Sequence, residues 1–331
     1  MEKKLQLVYV LVSSEKDIYL EQAYVSMYSA KYYMPDVRII LLVDELTNAS
    51  FTGIRKEEVK YADEIKIIET PEGMNAKNRS RYIKTNLRNY VEGYILYVDV
   101  DTIIVKPLYE VLETDADIAG CYDTHCVDFK ENPYYIKDVI SCRTFDFPIE
   151  DEAHFFNGGI AYSKDTEVAH KFYTLWHKNM AESVKRGMTQ DQPSLIYTNY
   201  MMGHVMKPLG DVWNCQLKFG IKYLKDAKIV HYLCTNKSKN KERQFFILND
   251  ERVLLQIKQT GIIPEDVIKT VKDPFYGLSP FCLCLAGDDV YFFGSYLCRA
   301  ARSIYNKDVF SKIDGFIGSC WKHVKKYIKK G

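Results

Sequence analysis

The chain has 331 residues, of which 47% are apolar and 14% aromatic. At about 100–200 residues per domain, that length predicts one large domain with an appendage, or two domains. The 45 Lys and Arg nearly cancel the 44 Asp and Glu. This balance argues against a general nucleic-acid binder, which needs a basic domain, and against an acidic disordered chain. The charge is uneven, however, because residues 311–331 contain six lysines against one aspartate.

The sequence also argues against membrane-spanning, secreted and zinc-binding classes. No apolar run reaches the roughly 20 residues that a membrane-spanning helix needs. Gln6 interrupts the short apolar run at the start and no small-x-small cleavage site follows, so a buried strand is expected there rather than a secretory signal. The nine cysteines form no CxxC pair, which indicates neither a zinc ribbon nor a disulfide framework. We therefore expect a reducing, cytoplasmic setting.

Buried apolar segments alternate with helical patterns along the N-terminal part of the chain. In chain order, we predict a strand at Leu5–Val12, a helix at Ile18–Tyr33, strands at Asp36–Asp44 and Ala62–Ile68, a helix at Asn78–Tyr90 and a strand at Tyr94–Val98. This alternation is typical of βαβ units and predicts an α/β fold with a mainly parallel sheet flanked by helices. In such sheets, ligands bind beyond the carboxyl ends of the strands.

Two aspartates follow the last of these strands. Asp99 and Asp101 come directly after Val98, and the period-two alternation of a strand points both side chains to the same side. Two carboxylates this close repel unless a cation lies between them. Hard oxygen ligands suit Mg²⁺ or Mn²⁺ held jointly with substrate phosphates. An ordinary Asp turn at a strand end is the alternative interpretation.

The segment Tyr97–Thr102 (YVDVDT) resembles the DxD motif of GT-A fold nucleotide-sugar glycosyltransferases. Its surroundings resemble glycosyltransferase family 8, the group that includes glycogenin and bacterial lipooligosaccharide galactosyltransferases. The resemblance extends over residues 5–240 and implies a Rossmann-like GT-A domain in which Val100 and its two neighbouring aspartates contact the donor. It also implies a donor-binding basic residue on the preceding helix, with Lys84 the best match and Arg81 the second. A solvated helix face is the alternative for that lysine.

A turn motif and two further positions match the sugar and base contacts of the family. The segment FFNGG resembles the family's Phe-Asn-small-Gly turn, which implies that Asn157 and Gly158 lie beside the donor sugar. Asn-Gly is also a common turn between strands. By position alone, Asp123 matches a sugar-contacting aspartate. The resemblance further implies that backbone groups at the end of the first strand hold the base, at Leu11, Val12 and Ser13.

Two later motifs match the catalytic and metal-binding parts of the family. The segment TQDQPS resembles its Asp-Gln motif, which implies that Asp191 and Gln192 lie under the reacting sugar carbon and are the candidate catalytic residues. A helix N-terminus capped by Asp191 would give the same pattern. His231 and Lys237 have the spacing of the family's metal-binding histidine and diphosphate-binding lysine, although Cys234 replaces the intervening glycine.

Together, these matches imply a metal-dependent transfer of a hexosyl residue from a nucleotide sugar, expected to be UDP-linked, to a glycan or glycolipid acceptor with retention. Mn²⁺ (or Mg²⁺) would be held by Asp99, Asp101 and His231. One alternative is a haloacid dehalogenase-type phosphatase that uses the same two aspartates. It is disfavoured because Ile103 stands where that family has Thr or Val and because the motif follows several strands. The other alternative is a non-catalytic sugar-binding relative.

The sequence predicts three regions. They are a GT-A catalytic domain at residues 1–245, a helical accessory region at 246–310 and a basic amphipathic helix at 311–331. From Ile313 onward, apolar residues recur every three or four positions and include Trp321, while lysines fill much of the rest. This pattern is typical of an in-plane membrane anchor, which would place the protein on the inner face of a membrane. A C-terminal helix docked on the catalytic domain is the alternative.

Overall fold

The computed structural model describes residues 3–233 and 250–276, with the isolated residues 248, 278, 295, 297, 298, 300, 313, 316 and 317. The chain divides into two compact units, one comprising Met1–Cys234 with Gln244–Ser279 and the other Thr235–Arg243 with Pro280–Gly331. The first unit contains most of the described residues. Helices and strands can be followed through it without interruption up to residue 233.

Ten strands lie within the described residues. They are β1 (Leu5–Leu11), β2 (Arg38–Asp44), β3 (Glu64–Ile68), β4 (Tyr94–Val98), β5 (Thr102–Ile104), β6 (Ile118–Tyr122), β7 (Phe156–Ser163), β8 (Met206–Pro208), β9 (Cys215–Gln216) and β10 (Ile229–His231). Seven of them form the main sheet in the order β3-β2-β1-β4-β7-β6-β8, and β5, β10 and β9 form a second small sheet. The four strands from β3 to β4 are mutually parallel, and β7 runs antiparallel to both β4 and β6. The predicted mixed, mainly parallel sheet is confirmed.

The same part of the chain forms nine α-helices. They are α1 (Tyr19–Tyr33), α2 (Glu45–Ala49), α3 (Ile54–Glu57), α4 (Ala76–Lys84), α5 (Tyr135–Cys142), α6 (Glu167–Lys185), α7 (Asp191–Met201), α8 (Glu251–Thr260) and α9 (Glu265–Lys272). The helix predicted at Asn78–Tyr90 is shorter than expected. It starts at Ala76 because the Asn75 side chain accepts a hydrogen bond from the backbone of Asn78, which caps the first turn. It ends at Lys84 and a 3-10 turn follows.

The main sheet is buried on both faces. Along β1, Val8 and Val10 join one apolar cluster while Leu7 and Tyr9 join another, and all four side chains are buried. Successive residues of a strand point to opposite faces, so these two clusters lie on opposite sides of the sheet. This arrangement explains why the strand is almost continuously apolar and why polar side chains are free to gather at the ends of the strands.

The helices α8 and α9 pack on the small sheet. Leu254, Ile257 and Val267 share a third apolar cluster with Ile103 of β5 and Val230 of β10. Gln244–Ser279 accordingly belongs to the first compact unit. The domain bounds expected from the sequence stay a prediction. Of the predicted basic helix, only residues 313, 316 and 317 are described, and all three are exposed. Among the described residues, no helix is both long and apolar enough to cross a membrane.

Candidate active site

The carboxyl end of β4 brings two aspartates and a histidine together. Asp99 and Asp101 lie in the link between β4 and β5, and β10 pairs antiparallel with β5 so that His231 lies opposite Thr102. The backbone nitrogen of Tyr232 donates to the carbonyl of Asp101 at 3.0 Å. One possible ligand atom from each of the three predicted residues then lies within 4.8 Å of the others. The sheet pairing therefore assembles the set that the sequence predicted.

This donor set fits a divalent cation. Two carboxylates with one imidazole are ligands that Mn²⁺ accepts readily. Both aspartates are partly exposed, whereas His231 is buried with Nε2 at 3.1 Å from Asp101 Oδ1. Burial by itself lowers the pKa of His231, but the negative charges of Asp101 and Asp99 raise it above its ordinary value. Positive charge is electrostatically favoured at this point.

A glycine makes room for the three ligands. A Cβ atom at Gly159 would lie 2.5 Å from His231 Cε1 and 2.9 Å from Asp99 Oδ2. The Gly159 carbonyl also accepts a hydrogen bond from the backbone nitrogen of Asp99 at 2.8 Å. The absence of a side chain at Gly159 is thus needed for the close approach of this backbone to His231 and Asp99.

Asp191 lies at the start of α7 and faces α4. Its Oδ1 is 3.1 Å from Arg81 Nε, and its Oδ2 is 2.8 Å from Lys84 Nζ. The capping interpretation of Asp191 is wrong, because Gln190 occupies the N-cap position and Asp191 is the first helical residue. Burial would raise the pKa of Asp191, but Arg81 and Lys84 hold it well below its usual range. The carboxylate is therefore ionised and held from both sides.

Lys84 links this carboxylate to the group formed by Asp99, Asp101 and His231. Its side chain is 3% exposed, so the solvated-face interpretation is wrong. Nζ lies 3.5 Å from Asp99 Oδ1 and 5.1 Å from the centre of the Tyr97 ring. The Tyr97 hydroxyl donates a hydrogen bond to Asp99. Tyr97 had no predicted role, although strand alternation places it on the same side as Asp99 and is the signal that identifies it.

A chain of side-chain hydrogen bonds runs from His231 to Asp123. His231 Nδ1 is 2.9 Å from Asn214 Oδ1, Asn214 Nδ2 donates to Asn157 Oδ1 at 3.1 Å, and Asn157 Nδ2 donates to Asp123 Oδ1 at 2.7 Å. The predicted residues Asn157 and Asp123 are therefore in direct contact. Asn214 escaped sequence analysis because it belongs to no motif and is a single polar residue beside an apolar segment.

Two more predicted residues lie beside Asp191. A Cβ atom at Gly158 would lie 3.1 Å from Asp191 Oδ2 and 3.3 Å from Lys84 Nζ, so this glycine also permits close approach. The side-chain nitrogen of Gln192 is buried and has no hydrogen-bond partner among the described residues. A buried donor without a partner is costly, and a ligand hydroxyl would satisfy it.

The predicted base contacts lie at the end of the strand next to β4, which carries Asp99 and Asp101 at its carboxyl end. Leu11 ends β1, which pairs in parallel with β4, and Val12 and Ser13 follow. The backbone nitrogen of Ser13 donates to Thr47 Oγ1 at 2.9 Å, so that donor is already engaged. Val100 is partly buried between the two aspartates. The predicted diphosphate-binding residue, Lys237, lies outside the described residues.

Comparison with known proteins shows the family of the chain. Residues 10–239 match glycosyl transferase family 8. The chain belongs to this family. It is similar in structure to the galactosyltransferase LgtC in complex with donor and acceptor sugar analogues, at a TM-score of 0.50 and 16% identity over 80% of this chain and 99% of that one. Mouse xyloside xylosyltransferase 1 gives a TM-score of 0.48 and 13% identity over 72% and 99% of the two chains. No curated protein sequence matches significantly.

Family membership decides between the glycosyltransferase and the phosphatase interpretations of the two aspartates. The protein is a glycosyltransferase with a GT-A fold. The phosphatase alternative is wrong, because the matched segment includes both Asp99 and His231.

Proposed function

We propose that this glycosyltransferase moves a hexosyl residue from a nucleoside diphosphate sugar, with UDP as the expected nucleotide, to a hydroxyl group of a glycan or glycolipid. The observation that carries the proposal is the convergence of Asp99, Asp101 and His231 within 4.8 Å, directly beside the buried pair of Lys84 and Asp191. Carboxylate and imidazole ligands next to buried positive charge suit a metal-bound diphosphate and a reacting sugar.

The three ligands would hold Mn²⁺ (or Mg²⁺). When bound, the ion acts as a Lewis acid that neutralises the negative charge which develops on the departing diphosphate. Tyr97 keeps Asp99 oriented by its hydrogen bond, and Lys84 limits the repulsion between Asp99 and Asp191. The aspartate side chains are therefore oriented before any ligand binds, which reduces the rearrangement of these side chains that binding requires.

The sugar would bind between the Asn157 side and the Asp191 side of the site. Asn157 and Asp123 offer amide and carboxylate groups to sugar hydroxyls, and Gln192 offers its unpartnered buried nitrogen. Both oxygens of Asp191 are paired with cationic side chains. We propose that this carboxylate stabilises positive charge that develops on the sugar ring, and that Gln192 contacts the sugar directly. We assign no covalent nucleophile, and retention of the anomeric configuration is proposed from the family resemblance.

The nucleotide would extend from the metal site across the end of β1. Backbone groups at Leu11 and Val12 are the best placed for the base, because the Ser13 nitrogen is already bonded to Thr47. Arg81 and Lys237 are proposed to add positive charge near the diphosphate. For Arg81, this proposal is supported by a side chain that remains 28% exposed while it pairs with Asp191.

A donor screen tests this function. Purified protein is incubated with UDP-linked galactose, glucose and their N-acetyl forms in Mn²⁺, and release of nucleoside diphosphate is measured. We expect turnover with at least one donor, its loss in EDTA, and a fall of about 100-fold or more for Asp101→Asn. The exposed Asp226→Asn is the matched control and should behave as wild type. Turnover that survives EDTA would contradict the metal, and donor binding without turnover would favour the sugar-binding alternative.

We further propose that the basic segment 311–331 brings the enzyme to an anionic membrane surface from the cytoplasmic side. The support is its six lysines against one aspartate, since juxtamembrane lysines attract anionic lipids. Deletion of 311–331 should reduce sedimentation with anionic liposomes, and added salt should reduce it for the full chain. Undiminished binding after deletion would refute this proposal.

A further inference from the structure

We propose that Asn214 is a positioning residue that fixes the proton position of His231 and, through the same amide, holds Asn157 on the sugar side. The inference rests on the proposed function, because it concerns the use of His231 as a metal ligand. Asn214 belongs to none of the sequence motifs, and its role follows from the direction of its hydrogen bonds.

The amide of Asn157 can adopt only one orientation. The backbone nitrogen of Gly159, which can only donate, lies 2.8 Å from Asn157 Oδ1. The other end of the amide faces Asp123 Oδ1 at 2.7 Å, and an ionised carboxylate can only accept. If the amide were turned over, donor would face donor at Gly159 and acceptor would face acceptor at Asp123. Both neighbours therefore require Oδ1 towards Gly159 and Nδ2 towards Asp123.

This orientation determines that of Asn214. Because Asn157 presents an acceptor, Asn214 must present Nδ2 to it, which it does at 3.1 Å. Asn214 Oδ1 then faces His231 Nδ1 at 2.9 Å. A carbonyl oxygen only accepts, so Nδ1 of His231 carries a proton. Without a cation, Nε2 donates to Asp101 Oδ1, which lies 3.1 Å away; with a cation bound by the two aspartates, Nε2 is the nitrogen that would present its lone pair to it.

Burial and sheet pairing make this arrangement stable. Asn214 is fully buried and His231 is 2% exposed, so water cannot readily replace either partner. Asn214 directly precedes β9, which pairs in parallel with β10 so that Gln216 lies beside His231. The backbone thereby fixes the distance between the amide and the ring. An unmade hydrogen bond at such a depth is expensive, which strongly favours one tautomer.

One side chain consequently serves two parts of the site. Its oxygen orients the imidazole, as partners of metal-bound histidines generally do, and its nitrogen holds the Asn157 amide. Removal of both contacts should weaken metal binding and donor binding together. Removal of only the nitrogen should affect the donor while the metal affinity is maintained. This separation distinguishes a positioning role from a merely structural one.

The experiment measures Mn²⁺ affinity without any donor, from the EPR signal of free Mn²⁺, and separately the KM for the donor. Asn214→Leu removes both contacts, and its Mn²⁺ dissociation constant should rise by about 10- to 100-fold. Asn214→Asp keeps an acceptor for His231 but loses the donor to Asn157. Its Mn²⁺ affinity should stay within about 3-fold of wild type while its donor KM rises by about 5-fold or more.

The matched control is Asn179→Leu. Asn179 is also a buried asparagine with a side-chain hydrogen bond, to Thr198 at 2.9 Å, but it lies on α6 away from the metal ligands. The Asn179→Leu substitution should lower the thermal stability of the protein without altering its Mn²⁺ affinity. If Asn214→Leu does not fold, two other measurements test the inference. They are the Mn²⁺ affinity and donor KM of the near-isosteric Asn214→Asp, and the tautomer of His231 in the wild-type protein. That tautomer is read from ¹⁵N chemical shifts of histidine-labelled protein loaded with Mg²⁺ and assigned with a His231→Gln variant.

The outcomes separate the two proposals. Wild type that binds no Mn²⁺ would refute the proposed metal site and this inference with it. Wild type that binds Mn²⁺, with unchanged affinity in Asn214→Leu, would refute only the inference. An Nε2–H tautomer at His231 would refute it too, whatever the affinities. The expected set is an Nδ1–H tautomer, weaker Mn²⁺ binding in Asn214→Leu and a selective rise in KM in Asn214→Asp.

Discussion

Lys84 Nζ lies 2.8 Å from Asp191 Oδ2, and both side chains are buried. Lys84 ends α4 and Asp191 begins α7, so this pair joins two helices that are distant in the chain. The negative carboxylate at a helix N-terminus is further favoured by the helix dipole. A buried pair of this kind contributes little by its presence, but loss of one partner leaves an uncompensated charge.

Replacement of Lys84 by Met should therefore reduce both stability and turnover. We expect the free energy of unfolding to fall by about 3 kcal/mol, because the Asp191 charge keeps only Arg81 as a partner. Turnover with the donor should fall by about 100-fold or more. Urea unfolding and steady-state kinetics measure the two effects. Lys171→Met, an exposed lysine on α6, is the control and should change stability by less than about 0.5 kcal/mol. A comparable loss in both variants would contradict the special role of Lys84.

Substitution of three glycines by alanine should give graded losses of metal affinity. Gly159→Ala should be the most harmful, because its Cβ would lie 2.5 Å from the His231 ring. Gly158→Ala should be milder, since its nearest contact would be 3.1 Å from Asp191. Gly210→Ala is the control, with its nearest contact at 4.0 Å. Mn²⁺ titration of the three purified variants tests this order, and equal affinities would contradict it.

Replacement of two buried tyrosines by phenylalanine should have different effects on metal affinity and on stability. Tyr97→Phe removes the hydroxyl that donates to Asp99, so Mn²⁺ affinity should fall several-fold. The hydroxyl of Tyr162 is buried and has no partner within the described part of the chain. Tyr162→Phe should therefore leave Mn²⁺ binding unchanged and raise the free energy of unfolding by up to about 1 kcal/mol. Mn²⁺ titration and urea unfolding of both variants distinguish the two cases. A loss of stability in Tyr162→Phe would show that its hydroxyl has a bonding partner such as water.

Glu58 should make the stability of the protein depend on pH. It is fully buried, and burial together with the charge of Glu21 raises its pKa to about 7, although Arg55 and Lys258 act in the opposite direction. In the unfolded chain the pKa is near 4.3. Between these two values the folded state retains a proton that the unfolded state releases. The free energy of unfolding should therefore fall as the pH rises towards 7 and level off above it.

Glu58→Gln tests this dependence, because the amide cannot ionise. Its free energy of unfolding relative to wild type should increase by about 1–3 kcal/mol between pH 4.5 and 7. The exposed Glu72→Gln should show no such trend. Urea unfolding at several pH values measures the difference. A difference that stays constant with pH would mean that Glu58 is ionised in the folded protein.

Much of the fold could be predicted from local patterns. The ends of β1 and α1 were predicted to within two residues. The apolar pattern of an element depends on whether one or both of its faces are buried, and this pattern is visible in the sequence. The same alternation placed Asp99 and Asp101 together at the end of β4. The extent of α4 was less predictable, because the apolar pattern continues to Tyr90 while the helix ends at Lys84.

The candidate site was predicted as a set of motifs, and its internal contacts were not. The sequence connected His231 to the aspartates only through family resemblance, whereas the contact depends on the register of β10 against β5. The resemblance implied a donor-binding role for Lys84, but it gave no indication that this side chain is buried against Asp191. Asn214 had no signal, because its partners come from segments far away in the chain.

The sequence by itself determined the four parallel strands β1 to β4, the helix α1 and the existence of α4, and which residue types stand at the ends of those strands. Those properties depend on neighbours a few positions apart, through side-chain alternation and burial. Only the tertiary structure decided that His231 meets Asp101, that Lys84 is buried against Asp191 and that Asn214 joins two halves of the site. Such contacts depend on strand order, register and helix packing, which are set by the whole core rather than by any local pattern.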